Sequence, residues 1–509
     1  MAIKRGTEVK LNIRPIFIGF IHLHVFEGPC RFGKGDELTE EFDRMTHQDL
    51  YRSFCQSVET NLSDPAFNVM DPIYVERYED FITKDQLIED MAKDIGKADI
   101  ALFFVGIARH EVVVEFAQRH KIPVAIMPGI CCATAETITA LRARNLESYG
   151  YLDWPDAIRH LKALRVRKVL RDTSVLLAPR LNATNSVASG SSFINLSQVT
   201  QLFGTRFRYV NAHELLDQTK MADPLANHTR PGFASYNITA DDMAEIERLT
   251  DEITGNADEC AMARDSVLLS AKAFYTVKKL LDAYDCNAFT MPCPDVCATR
   301  RLNEEKITFC LTHSLNNELG IPSACDYDIG ALLSMQVLMN FSGGAAYMGN
   351  TAPIPYANGV AQPYRVVTAK HLEKIKNEPN LYCTFHSAPN RKLAGFDKPA
   401  AAYSIQPFAH SGFGATIRYD FSRDNGQPIT MGRFSPDCKK FFIARGTVKG
   451  GGGTDVPNCT LSVIFQVKNQ RDFFYKQINF GNHIPLVYGD YADDLALFAE
   501  SLHLEPVFA

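Results

Sequence analysis

The stretch SACDYDIGALLSMQVLMNFSGGAAYMGNT, residues 323–351, sets two carboxylates, Asp326 and Asp328, ahead of an apolar run and the amide of Asn350 behind it. Oxygen donors of these types suit a hard divalent cation if the chain brings them together. A plainer reading stands beside this one, in which an aspartate caps a helix and Asn350-Thr351 makes a turn. The flanking elements decide between them. ITFCLTH (307–313) reads as a strand, roughly 329–341 as a helix stopped by Gly343-Gly344, and AAYMG (345–349) as the next strand. A helix of that length rises about 20 Å and such a strand returns about 17 Å. The expectation is therefore one right-handed crossover unit. Its helix start and strand end would share the sheet edge at which open α/β sheets bind ligands, so Asp326, Asp328 and Asn350 would converge there.

Other groups offer binding chemistry. His22, His24, Glu27 and Arg31, in GFIHLHVFEGPCRFG, can contact a polyol or an anionic group. Arg300-Arg301 follows the strand-like AFTMPCP and can hold a phosphate, uronate or sulfonate through bidentate contacts; a solvated surface pair is the alternative. Cys293 and Cys297 are spaced Cys-x3-Cys, but no second pair follows at zinc-site spacing, so zinc is not expected. RHEVVVEF lacks the second histidine of a zincin. No Gly-x-Gly-x-x-Gly follows a strand and no Walker pattern occurs, so no nucleotide cofactor is expected.

These residues need a scaffold. A chain of 509 residues exceeds one core. Residues 1–165 alternate buried strands (RPIFIGFI, KADIALFFVGI, KIPVAIMPG) with helices, the pattern of a parallel sheet covered on both faces. Residues 166–350 read as a second α/β unit, with a helix near Leu196–Phe203, another in DDMAEIERLTDEI, and a long one over Glu259–Tyr284. Residues 351–509 turn β-rich: YRVVTA, AAYSIQP, GATIRYDF, KKFFIARGTV and CTLSVIFQV read as strands, Gly450–Gly453 as a surface loop, and YADDLALFAESLHLEPV as a closing amphipathic helix. The net charge of −6 gives no basic field for nucleic acid, and no apolar run reaches bilayer length. The charged N-terminus lacks an apolar signal core, so scattered reduced cysteines in the cytoplasm are expected.

Three separated motifs together resemble the L-fucose isomerase and L-arabinose isomerase superfamily: CLTHSLNNELGIPSACDYDIGALLSM, the Asn350 segment, and FGNHIPLVYGDYADDL. The opening Ile-Arg-Pro resembles that of fucose isomerases. The resemblance implies two flavodoxin-like domains followed by a β-rich C-terminal domain, a homo-oligomer such as a hexamer, and aldose–ketose isomerisation through an ene-diol. It implies Mn²⁺, or another divalent cation such as Mg²⁺ or Co²⁺, held by positions 326, 350 and 483. Asp326 then stands where the family has glutamate, Asn350 where it has aspartate, and His483 follows Asn482 in the Asn-His motif. Asp326 would be ligand and acid/base. Asn350 would be a neutral ligand or would orient substrate, since an amide cannot act as a base. Asn482 would contact the sugar. His386, in CTFHSAPN, would hydrogen-bond sugar hydroxyls or serve structurally. One ligand charge is lost at Asn350; Asp328 or Glu318 can compensate, another base with a shifted substrate can be used, or the metal can be gone. Where fucose isomerases carry Asp-Gly-Arg after the Ile-Arg-Pro, this chain has GFIHLHVFEGPCRFG, which argues against fucose and leaves neutral, phosphorylated, uronate and sulfonated sugars open. Two other functions remain: a non-catalytic sugar-binding or regulatory protein, and a metal-assisted lyase or epimerase using the same enediolate.

Overall fold

In a computed structural model of the chain, the described residues are 3–21, 39–77, 84–105, 110–129, 131–181, 189–222, 236–453 and 457–509. His22, His24, Glu27 and Arg31 lie outside them. The chain forms two compact units, Val9–Arg165 and Val166–Ala509, the latter joined by Met1–Glu8.

The Val9–Arg165 unit is built on an all-parallel sheet. Its strands run in the order Phe67–Val69, Leu11–Phe20, Ile100–Phe104, Val124–Ile126, Ser148–Gly150, with Ile73–Arg77 continuing the edge beside Leu11–Phe20. Counting the two edge pieces as one interrupted strand, this is the flavodoxin-like doubly wound order. Both faces are covered. Ile16, Ile18 and Phe103 enter one core with Val113 and Phe116, and Ile13, Phe17 and Leu102 enter another with Phe54 and Leu161. This double burial is why these strands read as unbroken apolar runs.

The larger unit contains a second parallel sheet, in the order Ser323–Ala324, Ala288–Thr290, Ser174–Leu177, Arg206–Tyr209. It also contains a mainly antiparallel sheet of Asn350–Pro353, Leu381–His386, Leu461–Val467, Lys440–Gly452, Pro428–Phe434 and Leu486–Tyr488, with Glu505–Phe508 beside Lys440–Gly452. The fold is therefore α/β with parallel sheets and a β-rich C-terminal region.

The crossover unit is overturned. Phe309 precedes a helix, Cys310–Glu318, and not the tail of a strand. Every residue from Cys310 to Asn317 is buried, so the 3.6-residue period leaves no trace in polarity and the apolar run imitates a strand. Nor is 345–349 a strand. Tyr347 makes one bridge, to Leu486, and its hydroxyl donates to the Leu461 carbonyl. The strand that does follow the helix, Asn350–Pro353, is antiparallel to Leu381–His386. The helix itself forms as expected over Ile329–Ser342, capped by Asp328 and ended by Gly343 at φ +63°. Three further expectations fail. Tyr364–Val367 is a turn closed by one bridge. Gly450–Gly452 lies within a strand, because Gly451 runs so close to the Ser462 carbonyl that only glycine fits. The long helix begins only at Arg264, after a short strand, Glu259–Cys260.

The pieces of the larger unit are pinned by one buried ion pair. Arg433 and Asp328 are both fully buried, with Nη1 to Oδ2 at 3.0 Å and Nη2 to Oδ1 at 3.2 Å. Arg433 also donates to the carbonyls of Phe480 (2.7 Å), His483 (2.5 Å) and Ser191 (2.9 Å). One guanidinium thus joins the helix start, the 428–434 strand and the 480–483 turn. Burial pushes the Asp328 carboxyl up, but the Arg433 charge and the His483 hydrogen bond pull it further down, well below the usual range.

Asp328→Asn leaves Arg433 buried without its counter-charge and is expected to cost about 3–5 kcal/mol at neutral pH. Because the folded carboxyl is depressed, this contribution is complete above the unfolded value of about 4 and fades as pH falls below it. Denaturant midpoints measured from pH 7 down to pH 2 should show a steeper acid decline in the wild type than in the variant. Gly349 is tested separately: a Cβ there would meet the Phe385 carbonyl oxygen at 2.7 Å. Gly349→Ala should destabilise by about 1–3 kcal/mol through displacement of the 350–353 strand, read from the same melts.

Candidate functional site

Asp326 sits in the turn between the Ser323–Ala324 strand and the Ile329–Ser342 helix, with φ of +60° there and +59° at Tyr327. Neither residue is glycine, so each carries a backbone cost of about 1–3 kcal/mol. Surrounding bonds hold the turn: Ser189 Oγ donates to the Asp326 carbonyl at 2.6 Å, Tyr327 N to the Met291 carbonyl at 3.1 Å, and Ile329 N to Ser192 Oγ at 3.0 Å. The turn delivers the Asp326 carboxylate to two buried imidazoles. His386 Nε2 and His483 Nε2 each lie 3.5 Å from Asp326 Oδ2. Cys325 Sγ lies 3.4 Å from Oδ1 of the same carboxylate. Burial raises the Asp326 carboxyl, but the His386 hydrogen bond and the charges of both histidines leave it below its ordinary value, so it is ionised at neutral pH.

His483 is fully buried, and its Nδ1 stands 2.9 Å from Asp328 Oδ2. An ionised carboxylate only accepts, so Nδ1 carries a proton, and in the neutral ring Nε2 presents its lone pair. That Nε2 has no hydrogen-bond partner among the described residues. Arg433, Asp328 and His483 thus form a relay that orients one lone pair toward Asp326. The arrangement matches how a carboxylate sets the tautomer of a metal-ligating histidine. A buried imidazole nitrogen with no hydrogen-bond donor to meet it, facing an ionised carboxylate, fits a cation.

Asn350 is drawn in differently. Its backbone bridges His483, and its Oδ1 accepts from Asn482 Nδ2 at 2.8 Å. Asn482 is exposed, and its own Oδ1 accepts from Ser191 Oγ at 3.3 Å. Of the expected site residues, the structure gathers Asp326, His386 and His483 around one carboxylate oxygen and joins Asn350 and Asn482 to them through the turn. Arg300 is exposed, in left-handed conformation at φ +62°, while Arg301 pairs with Asp217 and Glu305. Glu318 does not stand in for a missing ligand, because its carboxylate is engaged by Arg391 through Nε and Nη2 at 2.7–3.2 Å.

Three residues at or near this site escaped sequence reasoning. Cys325 stands in the sequence only as part of a motif. Arg433 is a lone cation inside the apolar strand PITMGRF, and that oddity was its signal. His313 was hidden by the strand assignment. It is fully buried on the Cys310–Glu318 helix, bonded through Nδ1 to Ser323 Oγ at 2.8 Å, and pushed down to about 3 by burial and then by the His386 charge, so it stays neutral.

No family model matches the chain. It is similar to proteins named sulfoquinovose isomerase from Priestia aryabhattai and Priestia megaterium, each 24% identical over 271 residues, 52% of this chain and 52% of the relative. The chain thus matches over about half the length of these curated relatives.

Proposed function

We propose that the protein is a divalent-cation-dependent sugar isomerase interconverting an aldose and a ketose, and that its substrate is an anionic sugar of the sulfonated class. The observation that carries this reading is the Asp326 carboxylate set between two buried imidazoles, one with its tautomer fixed by Asp328. The substrate class follows from the relatives' name, and the neutral Asn350 agrees with it, since one carboxylate fewer repels an anion less.

Asp326 and His483 would hold the cation, with Asn350 as a neutral neighbour. A bound divalent cation supplies Lewis acidity that polarises the sugar carbonyl. The ionised Asp326 takes the proton from C2 of the aldose and returns it to C1, while the hydroxyl proton passes from O2 to O1. The product is an isomer with no net change in atoms or electrons. Asn350 and Asn482, already bonded to each other, orient the hydroxyls. Arg300 offers an exposed guanidinium for an anionic group. The protein would act as a homo-oligomer.

Incubation with sulfoquinovose and a panel of neutral, phosphorylated and uronate aldoses, with Mn²⁺ in D₂O, should give a ketose with solvent deuterium at C1 in the NMR spectrum. Asp326→Asn should lower kcat by about 10²–10⁴-fold while the protein keeps its thermal midpoint within a few degrees. No interconversion of any sugar would reject the proposal.

A second reading is favoured by the Asn350 amide itself: a sugar-binding protein without catalysis. Asn350→Asp separates the two. If the amide belongs to the working site, the wild type is active and the variant loses activity at least about 10-fold, because an added carboxylate repels an anionic sugar. Activity found only in the variant would establish the binding-protein reading.

A further inference from the structure

Among the described residues of the larger unit, two arginines are fully buried, Arg433 and Arg418. Arg433 has the Asp328 carboxylate, whereas no carboxylate among the described residues pairs with Arg418. Arg418 ends the strand Ala415–Arg418. Its Nη1 donates to Thr460 Oγ1 at 3.2 Å and its Nη2 to the Asn458 carbonyl at 2.9 Å, both neutral acceptors. Its Nε has no hydrogen-bond partner among the described residues. A guanidinium stays protonated even when buried. An uncompensated buried charge opposes folding, so the chain lacks an anion that this group could use.

Both bonds tie Arg418 to the segment beside His386. Thr460 precedes Leu461, which pairs with His386 across the sheet. The Asn458 carbonyl also accepts from Ser387 Oγ at 2.8 Å, and Ser387 follows His386. His386 Nε2 in turn lies 3.5 Å from the Asp326 carboxylate. The thiols of Cys310 and Cys459 are close to both charges. Burial raises both, Cys310 to about 12, while Arg418 pulls each down and Asp326 pushes each up. Burial raises the Tyr347 hydroxyl as well, so none of these neighbours is an anion at neutral pH. Arg418 also borders a cavity of about 560 Å³. Four carboxylates line that cavity together with four cations besides Arg418, so it supplies no net counter-charge.

We propose that Arg418 is the specificity-determining cation of the Asp326 site, and that it selects sugars carrying a sulfonate by attracting their charge through the protein interior. This rests on reading the site as that of an isomerase of sulfonated sugars. Attraction across a low-dielectric interior needs no direct contact. Arg300 is exposed, and salt screens it; Arg418 is shielded from salt, so its attraction persists at physiological ionic strength. The charge of Arg418 thus complements the neutrality of Asn350: one feature adds attraction for an anion and the other withholds repulsion.

The test compares sulfoquinovose with quinovose, the same sugar without the sulfonate, on the full chain with Mn²⁺. Binding is read by calorimetry, and KM and kcat by turnover. Arg418→Met should weaken sulfoquinovose binding and raise its KM at least about 10-fold, while quinovose stays within about twofold of the wild type. The thermal midpoint should hold or rise, because methionine carries no desolvation cost. Arg418→Lys should restore most of the preference for the charged sugar. A variant that weakens both sugars alike, or neither, overturns the assignment, as does a loss that Arg418→Lys fails to restore. Charge-selective binding that depends on Arg418, with no interconversion of either sugar, overturns the isomerase reading and leaves this role standing. Interconversion of sulfoquinovose that Arg418→Met leaves unchanged overturns this inference alone. A wild type that does not bind sulfoquinovose overturns both.

Discussion

The geometry of the larger unit depends on a guanidinium buried away from the protein surface. Arg433 is fully buried, and among the described residues its counter-charge is the equally buried Asp328. A pair of this kind adds little net stability, because desolvation offsets most of the attraction, yet neither partner tolerates the loss of the other. What it contributes is direction. Arg433 has five N–H groups in a rigid fork, and they meet Asp328 together with the carbonyls of Ser191, Phe480 and His483. The turn carrying His483 and the helix start carrying Asp328 can therefore meet in one register. That register sets the imidazole 2.9 Å from Asp328 and aims its other nitrogen at Asp326.

Strain balances this rigidity. Asp326 and Tyr327 are successive non-glycine residues in left-handed backbone, and the bonds from Ser189 and to Met291 keep them there. Backbone strain at a site held from several sides is how a chain aims a side chain that ordinary turn geometry would point elsewhere. Here the result is a carboxylate that meets two imidazoles and a thiol while staying largely buried. Two of the bonds that hold the strained turn, from Ser189 and to Ser192, also bring the 189–192 segment against the site, so the strained turn and its support form one local unit.

Much of the scaffold was legible. The flavodoxin-like sheet announces itself because strands buried on both faces must be apolar throughout. Leu196–Phe203 and Ile329–Ser342 carry caps whose chemistry is local: Asn195 and Asp328 accept from the first helical amides, and Gly204 and Gly343 take positive φ at the ends. Residues 310–313 read as the end of a strand because a helix buried on nearly every side has no solvent-facing stripe to mark its 3.6-residue period. The sheet partner of Asn350–Pro353 was not readable at all, since Leu381–His386 and His483 lie far along the chain and nothing local records the pairing.

Sequence alone determined the residue types at the site: an aspartate, an amide and a histidine in three separated motifs, with one carboxylate fewer than the family they resemble. It determined the local elements whose signals lie within a few residues. Tertiary structure alone decided which donors share one space. It placed His386 and Cys325 beside Asp326, tied Glu318 to Arg391, and gave His483 its tautomer. The physical reason is that helix and turn signals are short-range, whereas the charge pair of Arg433 and Asp328 joins positions more than a hundred residues apart and becomes an energy term only after the chain has closed around it.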